Sequence, residues 1–325
     1  MIITKTPYRI SLFGGGSDHP EWYKKHGGEV ISFAIDKYCY LTTRILPPFF
    51  DYKYRILYSK NETVNTIDEI LHPAVREAIR NFAPNLSLEI HHDGDLPSRT
   101  GVGSSSAFAV GLIHSLSVLS SQEISSHQLA NEAIKLEQES LKENVGSQDQ
   151  IACALGGMNY IEFGGQQEWK ASPMILSPMY QEAITNRIVM IYTGITRTSS
   201  DVQAGLLVNL ESKTKTMMRT IELARQCRKI FDEEGDLDLI GDMLAESWSL
   251  KIQMNDQAVN SQLKEVWQRS KKAGALGGKV LGAGGGGFCI FWVKEGGQKE
   301  FLSKFGMGLH VPVQISNKGS ECILK

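Results

Sequence analysis

The sequence predicts an α+β protein of two domains, and three observations carry that expectation. Its 325 residues, 42% of them hydrophobic, are enough for two domains of ordinary size. Within residues 28–60, apolar and polar positions alternate, as in Val30, Ser32, Ala34 and again Tyr38, Tyr40, Thr42, the period of antiparallel strands. From Arg187 onward, strand-like and helix-like stretches succeed one another, which indicates an α+β sandwich. The break is placed in the polar connection after Phe163-Gly164-Gly165, giving domains of residues 1–170 and 171–325.

A formal net charge of −2 argues against a nucleic-acid or acidic-membrane partner, which would require concentrated positive charge. The five cysteines are scattered, without a CxxC pair, and read as reduced core residues of a cytoplasmic protein. Met1–Pro7 lacks the apolar region of a secretory leader, and no run approaches the ~20 apolar residues of a membrane span.

In chain order, Ile10, Leu12 and Phe13 read as a strand that enters Gly14-Gly15-Gly16-Ser17-Asp18. Three glycines pack nothing and cost backbone entropy, so they imply a close backbone approach or a plain flexible loop. Ser87–His92 reads as a further strand. It leads to Pro97-Ser98-Arg99-Thr100-Gly101-Val102-Gly103-Ser104-Ser105-Ser106, followed by Ala107, Phe108, Val110, Leu112, Ile113 and Leu116 at helical spacing. A helix start has unpaired N–H groups and positive partial charge, so this is either a phosphate seat or an ordinary serine-capped helix. It is not a P-loop, because serines stand where Lys-Ser/Thr is required.

Ser125–Asn144 reads as a helix opened by a capping box of Ser125 and Gln128. Glu137 shares a face with Ala130, Ile134 and Leu141 and points inward, whereas Glu139 lies on the polar face. A carboxylate aimed into a core needs a partner, either an arginine or a cation. A short helix, Ile151–Leu155, follows Gly146-Ser147-Gln148-Asp149-Gln150 and stops at Gly156-Gly157. The second half reads strand 187–192, helices 203–232, 236–254 and 260–272, strand 288–293, helix 298–305 and strand 311–316. Arg197, after Tyr192-Thr193-Gly194, is either a surface arginine or a fork for a substrate phosphate, with Lys251 as an alternative cation. Gly282–Gly287 lies between two apolar runs and so reads as a tight, ordered turn rather than a linker.

Together these segments resemble the GHMP kinases. Pro97–Ser106 is similar to that family's PxxxGLGSSA loop, Gly146–Gln150 to its G-x-x-D-Q segment and Lys279–Gly287 to its K-x-x-GAGGGG motif. Tyr8–Asp18 overlies the galactokinase-type opening, but with Gly15-Gly16 where that has Glu-His. This version, and the Tyr-Thr-Gly…Arg segment, resemble heptose-phosphate kinases and their fucose-kinase relatives. The resemblance implies a ribosomal protein S5 domain 2-like N-terminal domain and a ferredoxin-like C-terminal domain. It implies Asp149 and Arg9 as catalytic residues, and Pro97, Gly101, Val102, Gly103, Ser104, Ser105 and Ser106 around the ATP phosphates. Gly16, Ser17, Asp18, Arg197, Gly284, Gly285 and Gly286 fall on the substrate side, and Ser105 with Glu137 on the Mg²⁺ site. The expected reaction is transfer from ATP to the anomeric hydroxyl of D-glycero-D-manno-heptose 7-phosphate. A free-sugar kinase and a non-catalytic sugar sensor are the alternatives, with a homo-oligomer open.

Overall fold

A computed structural model describes residues 1–195, 213–255 and 258–325 of the chain. The first sheet is built on two long strands, β1 (Ile2–Phe13) and β2 (Gly28–Ile45), which are joined through helix α1 (Pro20–His26) and run antiparallel with Ile10 opposite Phe33 and Ser11 opposite Ser32. The other edge of β2 is shared between two partners. Its last residues pair with β5 (Leu88–Gly94) and its first with β6 (Met158–Phe163), which carries β7 (Trp169–Pro173) beyond it. β3 (Tyr54–Leu57) and β4 (Asn61–Val64) extend the sheet past β5.

The alternation in residues 28–60 therefore marks strands, with one correction: β3 lies parallel to β5. The connection between them contains a hairpin to β4 and then helix α2 (Pro73–Phe82), a crossover long enough to bring the chain back in the same direction. The expected division at residue 170 falls inside β7, a strand of this first sheet.

Helix α3 (Ser104–Leu119) packs across β1 and β2, and Ala107, Phe108, Val110, Leu112, Ile113 and Leu116 are all buried. Its apolar residues are not confined to one stripe, as befits a helix covered on every side. Each such Leu, Ile or Val contributes about 1.5–3 kcal/mol relative to exposure. Helices α4 (Ser126–Lys135) and α5 (Gln148–Leu155) pack on α3 and on each other. The capping box at the start of α4 forms as expected, but the helix does not run to Asn144; it widens into a π turn at Leu136–Ser140.

The second sheet is antiparallel throughout, in the order β11 (Leu309–Val311), β8 (Ile188–Tyr192), β10 (Phe288–Trp292), β9 (Gly277–Val280). Both its faces are covered. Phe288, Ile290 and Trp292 of β10 join the main core, while Cys289 and Phe291 face a second cluster with Trp248, Phe301 and Phe305. The described helices here are α6 (Pro178–Thr185), α7 (Thr214–Asp232), α8 (Asp238–Met254), α9 (Ser261–Ala273) and α10 (Gln298–Phe305), and residues 203–212 of the expected helix 203–232 lie outside the described residues. Expected residues 311–316 form a strand only to Val311; Ile315 makes a single bridge to Ile35 instead. The final strand, β12 (Glu321–Leu324), was not expected, and it returns to the first sheet to pair with β1. Four cysteines are buried and Cys322 is partly exposed; all five are free. No described helix is long and apolar enough to cross a membrane.

Candidate active site

Arg9 sits within β1, almost fully buried, and its fork is spent on two loops at once. Its Nε donates to Asp149 Oδ1 at 2.7 Å and its NH2 to Asp149 Oδ2 at 2.5 Å, while NH1 donates to the Gly101 carbonyl at 2.5 Å. Burial works against the guanidinium charge, but the Asp149 carboxylate outweighs it and holds Arg9 firmly protonated. Two parallel bonds to a carboxylate fix both groups in one plane. Asp149 stands in the first turn of α5, with its side chain 24% exposed where Arg9 has 4%. The carboxylate is thus the part of the pair that meets solvent. Gly103 is required beside it, since a Cβ there would lie 3.0 Å from Arg9 Cγ and 3.5 Å from Asp149 Oδ2.

The start of α5 is held by Asp18 rather than by a side chain of its own. The Asp18 carbonyl accepts from Ser147 N at 3.0 Å, and its carboxylate accepts from Gln148 N at 3.3 Å and Gly16 N at 2.9 Å. Asp18 thereby ties the glycine segment after β1 to the helix that presents Asp149. The three-glycine segment does make a close approach, but to its own chain: a Cβ on Gly14 would meet the Glu29 carbonyl at 1.9 Å. Ser17 Oγ secures the same turn, donating to the Gly14 carbonyl at 2.7 Å.

In the central loop, Thr100 Oγ1 donates to the Pro97 carbonyl at 2.7 Å. Gly103 is the residue before α3, in the left-handed region at φ 72, and no serine side chain caps the helix. This corrects the capped-helix alternative: the first-turn hydroxyls are directed elsewhere. Ser104 Oγ accepts from Arg99 N at 3.1 Å, while Ser105 Oγ and Ser106 Oγ donate to the two oxygens of Glu137 at 2.6 and 2.8 Å. Gln150 Nε2 donates to Glu137 as well. Glu137 is buried as its helical phase predicts, and Glu139 is exposed. No described arginine or lysine pairs with Glu137. Burial pushes its carboxyl up to about 7, against the pull of the three donors. Gln150 was not anticipated as a partner; it stood beside Asp149 in the same motif.

The third glycine loop closes on the second. A Cβ on Gly101 would meet the Leu281 carbonyl at 2.5 Å, and one on Gly282 would meet Gly101 Cα at 2.6 Å. Phe288 N donates to the Thr100 carbonyl at 3.0 Å. Gly284 abuts Ala258, Gly285 N donates to the Ala258 carbonyl at 2.9 Å, and a Cβ on Gly286 would lie 2.3 Å from the Ile195 carbonyl. The loop is ordered by strands on both sides, as its apolar flanks require. Val102 is buried, and its carbonyl accepts from Arg9 N at 3.0 Å. Arg197 lies outside the described residues.

Three glycine segments, from β1, from the α3 start and from the β9–β10 turn, therefore meet around one arginine–carboxylate pair at an open helix N-terminus. This constellation in an α+β fold of two sheets defines an ATP-dependent phosphotransferase acting on a small molecule. The family models for the GHMP kinases N terminal domain and the GHMP kinases C terminal match residues 68–157 and 223–306, together more than half of the chain. The chain belongs to the GHMP kinases.

A D-glycero-alpha-D-manno-heptose 7-phosphate kinase of Campylobacter jejuni is 27% identical over 302 residues, covering 90% of this chain and 89% of its own. The bifunctional fucokinase/GDP-fucose pyrophosphorylase of Arabidopsis thaliana is 24% identical across 98% of this chain but only 32% of its own length. Among solved structures, a D-glycero-D-manno-heptose 1-phosphate kinase from Bacteriodes thetaiotaomicron superposes with TM-score 0.82 at 21% identity, over 100% of this chain and 99% of that one. Lactococcus lactis galactokinase, complexed with galactose, gives 0.74 at 18% identity, over 98% and 94%. At these identities the structural likenesses establish the fold.

Proposed function

We propose that this kinase transfers the γ-phosphoryl group of ATP to the anomeric hydroxyl of D-glycero-D-manno-heptose 7-phosphate. The observation that carries the reaction is the Arg9–Asp149 fork, whose solvent-facing carboxylate stands beside Gly101 and Gly103 of the phosphate loop. Support for the sugar comes from the heptose 7-phosphate kinase relative, matched over nearly the whole of both chains. Residues Pro97–Ser106 would receive the nucleotide phosphates at the α3 N-terminus, where unpaired N–H groups point outward. Asp149 accepts the hydrogen of the attacking hydroxyl and aligns it. Arg9 offsets negative charge at the transferred group, since phosphoryl transfer asks chiefly for alignment and neutralisation.

Ser105 and Glu137 would hold Mg²⁺. Their hard oxygens suit that ion, and a buried carboxylate with three neutral donors and no described cation is short of positive charge. Bound there, Mg²⁺ supplies charge neutralisation to the phosphates. Gly16, Ser17, Asp18, Gly284, Gly285, Gly286 and Arg197 are assigned to the acceptor side. Asp18 also orders the helix that carries Asp149.

A coupled ADP-release assay over free and phosphorylated sugars, with mevalonate included, tests the proposal. Heptose 7-phosphate is expected to exceed the free heptose in kcat/KM by at least ~10²-fold, about 2.7 kcal/mol of contact. Equal or better turnover of free fucose would replace it with the free-sugar reading that the fucokinase relative favours.

A further inference from the structure

Two lysines near this site are not used in the transfer step above, though Lys251 is the alternative to Arg197 named from the sequence. Lys279 of β9 is buried, and its ammonium donates to the Leu12 carbonyl of β1 at 3.2 Å. Lys251 of α8 reaches the next turn of the same hairpin, donating to the Val280 carbonyl at 3.2 Å and to the Gly282 carbonyl. Leu12 directly precedes the segment that leads into Gly14–Gly16, and Gly282 is the residue in contact with Gly101 of the phosphate loop. One ammonium group is thus tied to the strand that leads into the acceptor-side glycines and the other to the turn that touches the phosphate loop.

The charges do not balance locally. Arg9 acts on both lysines as a third cation, and Lys279 acts on Lys251. Cys289, which faces Lys251, is held neutral by burial, which pushes its thiol up to about 12. Asp149, the partner of Arg9, has both its oxygens bonded by Arg9. No described carboxylate pairs with Lys251 or Lys279. Each ammonium has three N–H donors. Of these, Lys251 gives two to described acceptors and Lys279 gives one. Burial, then Lys279 and Arg9, push the Lys251 ammonium well down from its usual value, and an anion bound between the two lysines would hold both protonated.

We propose that Lys251 and Lys279 form the seat for the acceptor's own phosphate, a dianionic monoester that matches two monocations and takes up their unspent donors. The proposal deepens the functional reading above and rests on it in taking a phosphorylated acceptor. It gives Lys251 and Lys279, rather than Arg197 alone, the task of telling sugar phosphates from free sugars. Both lysines sit on α8 and β9, elements fixed by the core, so the seat is preformed.

The test uses Lys251→Met and Lys279→Met, which keep the length of the side chain and remove its charge, with Lys279→Arg as the charge-retaining control. Steady-state kinetics are measured on heptose 7-phosphate and on the free heptose. Binding of inorganic phosphate, without nucleotide, is measured by calorimetry. Each Met variant is expected to lose at least ~10-fold in kcat/KM on the sugar phosphate, the worth of one charge-assisted bond, and less than ~3-fold on the free sugar. Phosphate binding should weaken in both, and Lys279→Arg should recover part of each loss. Equal losses on the two sugars would overturn the proposal by assigning the lysines to the transferred phosphoryl group. Undiminished preference for the sugar phosphate in folded Met variants, confirmed by a single cooperative melting transition no lower than that of wild type, would overturn it as well. If wild type shows no preference for sugar phosphates, the heptose reading has failed. The lysine seat is then judged by inorganic phosphate alone: retained binding in the Met variants overturns it, and lost binding upholds it.

Discussion

At the scale of single residues, the site depends on the few buried charges that the described residues leave without a counter-charge. Glu137 is the case that separates helical phase from mere proximity. Glu137→Gln keeps the amide-sized group among Ser105, Ser106 and Gln150 but removes the charge, and is expected to raise the Mg²⁺ needed for half-maximal rate at least ~10-fold. Glu139→Gln, on the exposed side of the same turn, should be nearly silent, and a Mg²⁺ titration of both variants distinguishes them. Lys279 gives a pH signature. Its ammonium is pushed down from 10.5 to about 8, first by burial and then by Arg9. Between those values the unfolded chain binds the extra proton, so this group makes stability rise as pH climbs from about 8 to about 10.5. Below 8 its cost is constant and of order 3 kcal/mol. Lys279→Met should therefore melt above wild type at pH 7, with the gap closing by pH 10.5; a gap independent of pH would remove the charge from the explanation. Lys251 was already in view as an alternative to Arg197 for a substrate phosphate, whereas Lys279 was harder to read because a single Lys is most often a surface residue. Lys279 stood in view as the first residue of the third glycine motif.

At the scale of elements, what was legible followed from period and punctuation. The α4 start was visible in Ser125 and Gln128, the α3 core face in its apolar spacing, and the ordered β9–β10 turn in its apolar flanks. The π turn was not legible: Leu-Glu-Gln-Glu-Ser reads as continuous helix, and its widening accompanies the contact of Glu137 with the α3 serines. Nor was the parallel placement of β3, which depends on a crossover through α2 rather than on any residue within the strand. The glycine loops make a sharper prediction. Gly101 has φ 87 and its Cβ would strike the Leu281 carbonyl, whereas Gly165 has φ 90 with nothing within 4 Å. Gly165→Ala should carry only the backbone strain of about 1 kcal/mol, and Gly101→Ala that strain plus the clash, for a total near 3 kcal/mol. Calorimetric melting should separate the two, and only Gly101→Ala should raise the KM for ATP.

For the whole molecule, the chain closes on itself in a way no local signal announces. Strand β12 is four residues long, carries little apolar burial, and finds β1 from the opposite end of the sequence. Ser320, just before it, bonds Thr6 Oγ1 at 2.8 Å and His114 Nδ1 at 3.0 Å. Deleting residues 321–325 uncovers the outer edge of β1, so a lower melting temperature and concentration-dependent association are expected by calorimetry and gel filtration. An unchanged melt would show that β12 is ornamental to stability. The same sheet carries Arg9 at the other end of β1, where it meets Asp149, and the function proposed for the whole fold converges on that pair. Its most direct test is the product itself. Phosphorus NMR of wild type with ATP, Mg²⁺ and heptose 7-phosphate should show a new phosphate resonance coupled to the anomeric proton, with the 7-phosphate retained. Asp149→Asn should form it at least ~10²-fold more slowly, with ATP affinity unchanged. Phosphate appearing at another carbon, or at an undiminished rate in Asp149→Asn, would contradict the assignment of Arg9 and Asp149 to transfer onto the anomeric oxygen.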